Sequence, residues 1–315
     1  MTNDLTICSV SFHNRAHLEL NYRLAERLNG RAGRHRWLIA ENTPHGPRRL
    51  RQEDGRFEVH KGAENDHVPN HQHTLALNSL IPLVGTRFLL VIDPDFYLVL
   101  PSWHNAILEH MKLNELSFFG VPWHPRHGEK YRYFPCVHCL FVDLERVARE
   151  ELDFRPTWPD SPGVDIEWPY QESDFRPSFQ RFWFSLLDTC GMRRRRANYC
   201  DSGSRLYRKF SHHPQHKYEA VQPVVRLGER TPRSLKSRLF EFLLPEEYCY
   251  RPKRKGYFAD RGLRERGLLC DAPPNWEEFM WGERPFGFHV RRNFRKEDRS
   301  EMQEVALLTQ LVDSW

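Results

Sequence analysis

Apolar positions in the first half of the chain alternate between two rhythms. Leu5-Thr-Ile-Cys-Ser-Val-Ser-Phe12 is a short apolar, β-branched run that predicts a buried strand. Asn14 then stands as a cap, and over 16–28 Leu18, Leu20, Leu24 and Leu28 recur at helical spacing until Asn29-Gly30 stops the helix. Arg36-Trp-Leu-Ile-Ala-Glu41 predicts a second strand, closed by the turn Asn42-Thr43-Pro44. A short strand over 56–60 and a helix over 69–84, carried by Leu75, Leu77, Leu80 and Ile81, come next. Arg87-Phe-Leu-Leu-Val-Ile92 is a fourth, wholly apolar strand that ends on Asp93-Pro94-Asp95. A helix over about 102–112 and a strand over 116–121 complete the series. Strands that read as continuous apolar runs, separated by helices, predict an α/β fold: a mostly parallel sheet covered on both faces.

Past residue 150 the rhythm is lost. Residues 152–178 are rich in proline and aromatic side chains and predict an irregular stretch; helices are expected over 178–187, 203–210, 234–243 and 296–312. The organisation expected is a Rossmann-like ligand-binding half over 1–150 and an irregular α+β half over 151–315 packed on it.

Composition narrows the class. At 39% hydrophobic residues over 315 positions the chain can build a substantial core. Its longest apolar run, 88–100, is broken by Asp93 and Asp95, so no membrane span is expected. The N-terminal residues carry no basic segment followed by an apolar one, and the seven cysteines are an odd, scattered set. Both features fit reduced thiols in a soluble cytoplasmic protein. Cys136-Val-His-Cys139 lacks a second ligand pair and is read as a buried strand with two small thiols. The net charge of +5 is modest, and without a recognisable nucleic-acid module it does not predict nucleic-acid binding. Basic clusters at 193–196, 251–255 and 291–296 are either solvated surface or a contact with phosphates, of a ligand or of lipid headgroups at the inner face of a membrane.

The candidate chemistry lies at strand ends, where open α/β sheets bind ligands. Asp93 and Asp95 follow a buried strand, and a carboxylate pair there is costly unless solvated or bound to a cation. Hard oxygen donors suit Mg2+ or Mn2+, ions that also take diphosphate oxygens. The tips Phe12-His13-Asn14 and Glu41-Asn42-Thr43 fall at the same sheet edge and make a polar crevice able to hold a nucleotide. Near the C-terminus, Phe286-Gly-Phe-His289-Val-Arg291-Arg292 can bring an imidazole and a guanidinium to a diphosphate or a metal ion.

In order and spacing, Ser-Val-Ser-Phe-His-Asn, Leu-Ile-Ala-Glu-Asn-Thr, His-Thr-Leu-Ala-Leu-Asn and Leu-Leu-Val-Ile-Asp-Pro-Asp resemble the nucleotide-sugar half of GT-A glycosyltransferases of the family 2 type, over roughly residues 4–145. The family's usual Asp-Asn-Gly-Ser at the second tip is Glu41-Asn42-Thr43-Pro44 here. The resemblance implies that Phe12, Asn14, Glu41 and Asn42 line the base and ribose pocket, and that His73 reaches the donor while Asn78 packs. It implies that Asp93 contacts the ribose or the metal, that Asp95 and the late His289 ligate the metal, and that Arg291 meets the diphosphate.

An inverting transfer also needs a carboxylate to accept the acceptor's hydroxyl proton. Asp201, before a helical stretch, and Asp188, closing an aromatic segment, are the two candidates, with Asp165 and Glu167 behind them. Trp123, His124, His138, Trp158, Trp168 and Tyr170 are candidate faces for a sugar acceptor. His212-His213-Pro214-Gln215-His216 reads as an exposed loop. The expected function is metal-dependent transfer of a sugar from a nucleoside-diphosphate donor to a hydroxyl of a glycan, polysaccharide or lipid-linked acceptor. The rivals are a nucleotidyltransferase, disfavoured by the glycine-free turn after the first strand, and a non-catalytic nucleotide-binding scaffold of the same fold.

Overall fold

The computed structural model describes residues 4–30, 35–44, 46, 49–50, 55–63, 69–126, 130–131, 133–156, 202–226, 235, 254–290 and 301–315. In chain order these form β1 (Leu5–Ser11), α1 (Arg15–Asn29), β2 (Arg36–Glu41), β3 (Glu58–Lys61), α2 (Pro69–Leu80), β4 (Phe88–Ile92), β5 (Phe96–Leu98), α3 (Trp103–Leu113), β6 (Leu116–Gly120), β7 (Cys139–Asp143), α4 (Ser204–Phe210), β8 (Lys217–Ala220), β9 (Gln222–Pro223), β10 (Glu277–Trp281), β11 (Arg284–His289) and α5 (Glu301–Ser314).

The main sheet has the order β3-β2-β1-β4-β7-β6-β8 among the described residues. All neighbours pair parallel except β7, which runs against both β4 and β6. This is the α/β sheet expected, mostly parallel and flanked by helices. Every residue of β1, β4, β6 and β7 is buried, which is why β1, β4 and β6 read as apolar runs. From β1 the chain steps outward through β2 to β3 and then returns to lay β4 on β1's other side. The order therefore reverses between β1 and β4, and their carboxyl ends flank the crevice where such sheets bind ligands.

A second, antiparallel sheet has the order β5-β11-β10-β9. It begins where the main sheet ends. The apolar run 88–100, read from sequence as one segment broken by aspartates, is two strands in two sheets joined by Asp93-Pro94-Asp95. A Cβ placed on Gly287 would lie 2.6 Å from the Tyr97 carbonyl oxygen and 2.9 Å from two Phe96 ring carbons, so only glycine lets β11 approach β5 this closely. Behind this sheet the rings of Tyr97, Phe288 and Trp276 stack in sequence, at centroid distances of 5.1 and 5.4 Å. They share a cluster with Leu20 and Leu24 of α1 and with Leu308 and Val312 of α5.

The second half of the chain thus supplies an edge strand to the main sheet (β8) and three of the four strands of the small one. Helix α4 matches the expected 203–210, and α5 matches the expected 296–312 over the residues described, 296–300 lying outside them. The strands β5, β8, β9 and β10 were not anticipated, and β7 begins at Cys139, the last residue of the segment read as a buried strand. The expected helices over 178–187 and 234–243 lie outside the described residues, apart from Leu235. Among the described residues no helix is long and apolar enough to cross a membrane.

Candidate metal centre

Parallel pairing of β2, β1 and β4 sets their three tips side by side. The tips are also tied to one another: Asn42 donates its backbone N–H to the Ser11 carbonyl at 2.8 Å, and His13 donates its own to Thr43 Oγ1 at 2.8 Å. Ser9 Oγ donates to the Ile92 carbonyl at 2.7 Å and locks β1 to the end of β4. His13 takes φ 60°, a left-handed conformation that turns the chain sharply from strand to helix.

Asp93-Pro94-Asp95 is held from all sides. The Phe96 N–H donates to the Asp93 carbonyl at 3.0 Å, closing a turn with proline at its second position. Asn21 of α1 reaches up with its Nδ2 group, donating to the carbonyls of Pro94 and Phe96, both at 2.8 Å. The Asp93 N–H donates to the His138 carbonyl at 3.0 Å, and the Val290 N–H to the Asp95 carbonyl at 2.9 Å. These last two bonds bring in residues 45 and 195 positions further along the chain.

Side chains converge on this turn. Donor atoms of Asp93, His138 and His289 all lie within 4.8 Å of one another. His138 Nε2 is 3.6 Å from one Asp93 oxygen, and His73 Nε2, from α2, is 3.6 Å from the other. His289 Nε2 lies 3.1 Å from Asp95 Oδ1, and its Nδ1 lies 3.2 Å from Glu277 Oε2. The His138 and His289 rings meet at 4.3 Å, and Trp123 abuts His138 edge to face at 4.3 Å. His138, His289 and Glu277 are buried, whereas the Asp93 and Asp95 side chains keep 16% and 26% of their surface exposed. The group is therefore walled behind and open in front, a form that admits an ion and a ligand.

Two imidazoles and a carboxylate are a fitting donor set for a divalent transition ion. The neighbouring Cys139 is a poor addition to it. Burial pushes its thiol well above the ordinary range, and Cys136 and Asp93 push it further, so it stays protonated. Both cysteines are buried, Cys139 at the head of β7 and Cys136 in the segment entering it, as the small-thiol reading requires.

Phe12 projects at the mouth of the crevice, 50% exposed, its ring edge-on to His13 at 4.6 Å. Asn14 occupies the cap position of α1, and its carbonyl accepts from Leu18 N–H at 3.1 Å. Glu41 is turned inward: it is 1% exposed, and its two oxygens accept the backbone N–H groups of Thr43 at 2.7 Å and Leu50 at 2.8 Å. Asn42 is buried beside Gly62, where any Cβ would collide with its Oδ1; that oxygen has no hydrogen-bond partner among the described residues. Asn78 packs, as expected: it donates to Asp153 Oδ1 at 3.1 Å and accepts from Phe154 N–H at 3.0 Å. Burial acts to raise the Asp153 carboxyl's pKa, but hydrogen bonds from Arg155 and Arg205 win and hold it well below the usual range.

Trp123 and His124 are buried and do not offer a sugar-binding face: the His124 ring lies 3.1 Å from the Val224 carbonyl and accepts the Arg126 N–H. His138, expected in the same role, belongs instead to the carboxylate cluster. His213 and His216 face each other at 4.7 Å, with His216 3.1 Å from Ser117 Oγ. Among the described residues they join no metal-ligating group. Asp165, Glu167, Asp188, Asp201, Arg291, Trp158, Trp168 and Tyr170 lie outside the described residues. Sequence reasoning missed Asn21, His138 as a site residue, and Glu277. The Cys-Val-His-Cys segment was the one available signal, since it marked a histidine beside a buried strand.

No protein-family model matches the chain, and no curated protein matches it. Among solved structures, the galactosyltransferase LgtC, in complex with donor and acceptor sugar analogues, aligns at 10% identity over 98% of this chain and 95% of that one, with a TM-score of 0.44. The mannosyltransferase PcManGT from Pyrobaculum calidifontis, in complex with GDP-Man and Mn2+, aligns at 8% identity over 48% of this chain and 47% of that one, with a TM-score of 0.35. TarS 1-349 of S. aureus, in complex with UDP-GlcNAc, aligns at 9% identity over 48% of each chain, with a TM-score of 0.34. The chain spans about half the length of the PcManGT and TarS structures. Likeness at this level says nothing of substrate or mechanism.

Proposed function

We propose that this chain is a glycosyltransferase that moves a sugar from a nucleoside-diphosphate donor to an acceptor hydroxyl. The observation that carries the reading is the gathering of Asp93, His138 and His289 beside Asp95, at the point where the strand order of an α/β sheet reverses. Among the chemistries served by a crevice of this kind, departure of a diphosphate needs an ion-binding group at the strand end and a nucleoside pocket beside it. The order of the strand-tip motifs agrees with this.

Asp93, Asp95 and His289 would hold Mn2+ or Mg2+. When bound, such an ion neutralises the charge that grows on the diphosphate as the sugar leaves. The chain's own residues do the rest. Phe12 offers an exposed ring for the base, and Asn14, Glu41 and Asn42 shape the nucleoside side of the crevice. His73 and Arg291 add positive charge or hydrogen bonds towards the phosphates. Asp201, or in its place Asp188, accepts the acceptor's hydroxyl proton. The acceptor oxygen then bonds to the anomeric carbon as the bond from that carbon to the diphosphate breaks, with inversion. The acceptor is a glycan or lipid-linked sugar, and the setting is the cytoplasm, with contact at a membrane surface through the basic clusters.

The test is a screen of nucleotide sugars with Mn2+ or Mg2+, read as release of nucleoside diphosphate. The wild-type chain should turn over at least one donor, and Asp95→Ala should abolish both turnover and metal-dependent nucleotide binding while the fold survives. Asp201→Asn should bind donor normally and transfer nothing; full activity would move the base to Asp188. Metal-dependent nucleotide binding with no turnover of any donor would leave a non-catalytic scaffold, and release of pyrophosphate would mark a nucleotidyltransferase.

A further inference from the structure

His138 enters the site by topology. Because β7 runs against its neighbours, its first residues lie at the same sheet edge as the last residues of the parallel strands. The register Ile92↔Cys139 makes His138 the residue opposite Asp93. The ring is fixed there: it is 4% exposed, wedged between the edge of Trp123 and the tilted ring of His289. Its Nε2 stands 3.6 Å from an Asp93 oxygen, beyond a good hydrogen bond. Two donors each ~2.1 Å from a shared ion stand roughly 3.0–3.4 Å apart at octahedral to tetrahedral angles, close to that spacing. His289 is similarly prepared. A neutral imidazole has a single N–H; with buried Glu277, 3.2 Å from Nδ1, accepting it there, Nε2 is turned to the side of Asp95, whose Oδ1 lies 3.1 Å away, so that the two can share an ion.

We propose that His138 is a further metal ligand beside Asp93, Asp95 and His289, and that the resulting two-histidine, two-carboxylate set selects Mn2+ over Mg2+. This rests on the reading above that a divalent cation binds at Asp93. The selectivity follows from the donors. Mg2+ takes oxygen ligands almost alone and gives up its waters reluctantly, whereas imidazole nitrogen suits ions of the later first row and is accepted by Mn2+. A site whose walls supply two nitrogens therefore gains little with Mg2+.

Calorimetric titration of the metal-free chain with MnCl2 and with MgCl2, with no nucleotide present, reads the preference directly. Pulsed electron paramagnetic resonance of the Mn2+-loaded chain counts coordinated imidazoles through their nitrogen couplings. Mn2+ should bind at least ~10-fold more tightly than Mg2+, and the wild-type spectrum should carry two imidazole nitrogens. His138→Gln should remove one of them, weaken Mn2+ by ~10–100-fold and leave Mg2+ within threefold. A single imidazole in the wild-type spectrum, or equal affinity for the two ions, overturns the proposal while leaving a metal-dependent donor site standing. If neither ion binds the wild-type chain, or Asp93→Asn changes nothing, the reading of a cation at Asp93 fails as well. The nitrogen count on the wild-type chain decides the matter even if the variant does not fold.

Discussion

Glu277 Oε2 lies 3.2 Å from Nδ1 of His289, and both side chains are buried on neighbouring strands of the small sheet, directly opposite in register. A buried carboxylate against an imidazole fixes which way the ring faces and which nitrogen carries the proton. Glu277 thus acts through His289 and does not itself face the crevice opening. Glu277→Ala should weaken Mn2+ by roughly 10–100-fold, and Glu277→Gln, which keeps the volume and an accepting oxygen, by less. Calorimetric titration reads the difference; equal losses in both variants would mean that packing, and not the hydrogen bond, is what matters.

Gly287 governs whether β11 can reach β5 at all. Gly287→Ala forces a methyl against the Tyr97 carbonyl and the Phe96 ring. Overpacking of this kind costs about 1–3 kcal/mol. The denaturant midpoint should fall accordingly, and metal affinity with it, because β11 carries His289. An unchanged midpoint would show that the two strands can part without cost.

Asn21 is the chief support of the aspartate turn from below. Asn21→Ala removes two hydrogen bonds, to the carbonyls of Pro94 and Phe96, each worth about 0.5–1.5 kcal/mol, and leaves those carbonyls unsatisfied. Chemical denaturation should report a loss of about 1–3 kcal/mol, and metal-dependent nucleotide binding should weaken although Asn21 touches no ligand. Full binding at reduced stability would confine Asn21 to the fold.

Stability should fall as pH drops from about 6.5 towards 3. Burial, with the neighbouring His104, lowers the His35 pKa to about 3, and burial also lowers that of His104 despite the nearby Asp4 carboxylate. Across that window the folded chain keeps His35 neutral while the unfolded chain takes up a proton, so the unfolded state binds more protons and acid favours it. Urea unfolding at a series of pH values should show this slope, and His35→Phe, which keeps a ring against Trp103, should flatten it. A parallel slope in both proteins would refute the assignment. The carboxyl of Glu265, where hydrogen bonds from Arg226 and backbone amides outweigh burial and hold the pKa at about 2, adds an acid-sensitive contribution at lower pH.

Local pattern by itself determined β1, β2, β3, β4 and β6, helices α1 to α5, and the placing of Asp93 and Asp95 at a strand tip. Buried parallel strands must be apolar throughout, and the residue that ends such a run lies at the sheet's edge whatever the rest of the chain does. The late His289 was also legible, as one histidine in an apolar segment that the family resemblance sets near a metal. Tertiary structure alone decided the rest. His138 read as a candidate face for an acceptor sugar and Glu277 as nothing at all, because their roles depend on β7 running backwards and on β11 crossing to β5. Those pairings join residues 45 and about 190 positions apart, and no periodicity records them. Glu41 makes the same point from the other side: the tip was foreseen, but its carboxylate is turned onto the backbone amides of Thr43 and Leu50. Secondary structure follows from neighbours in sequence, whereas the contents of a site follow from which strand edges meet.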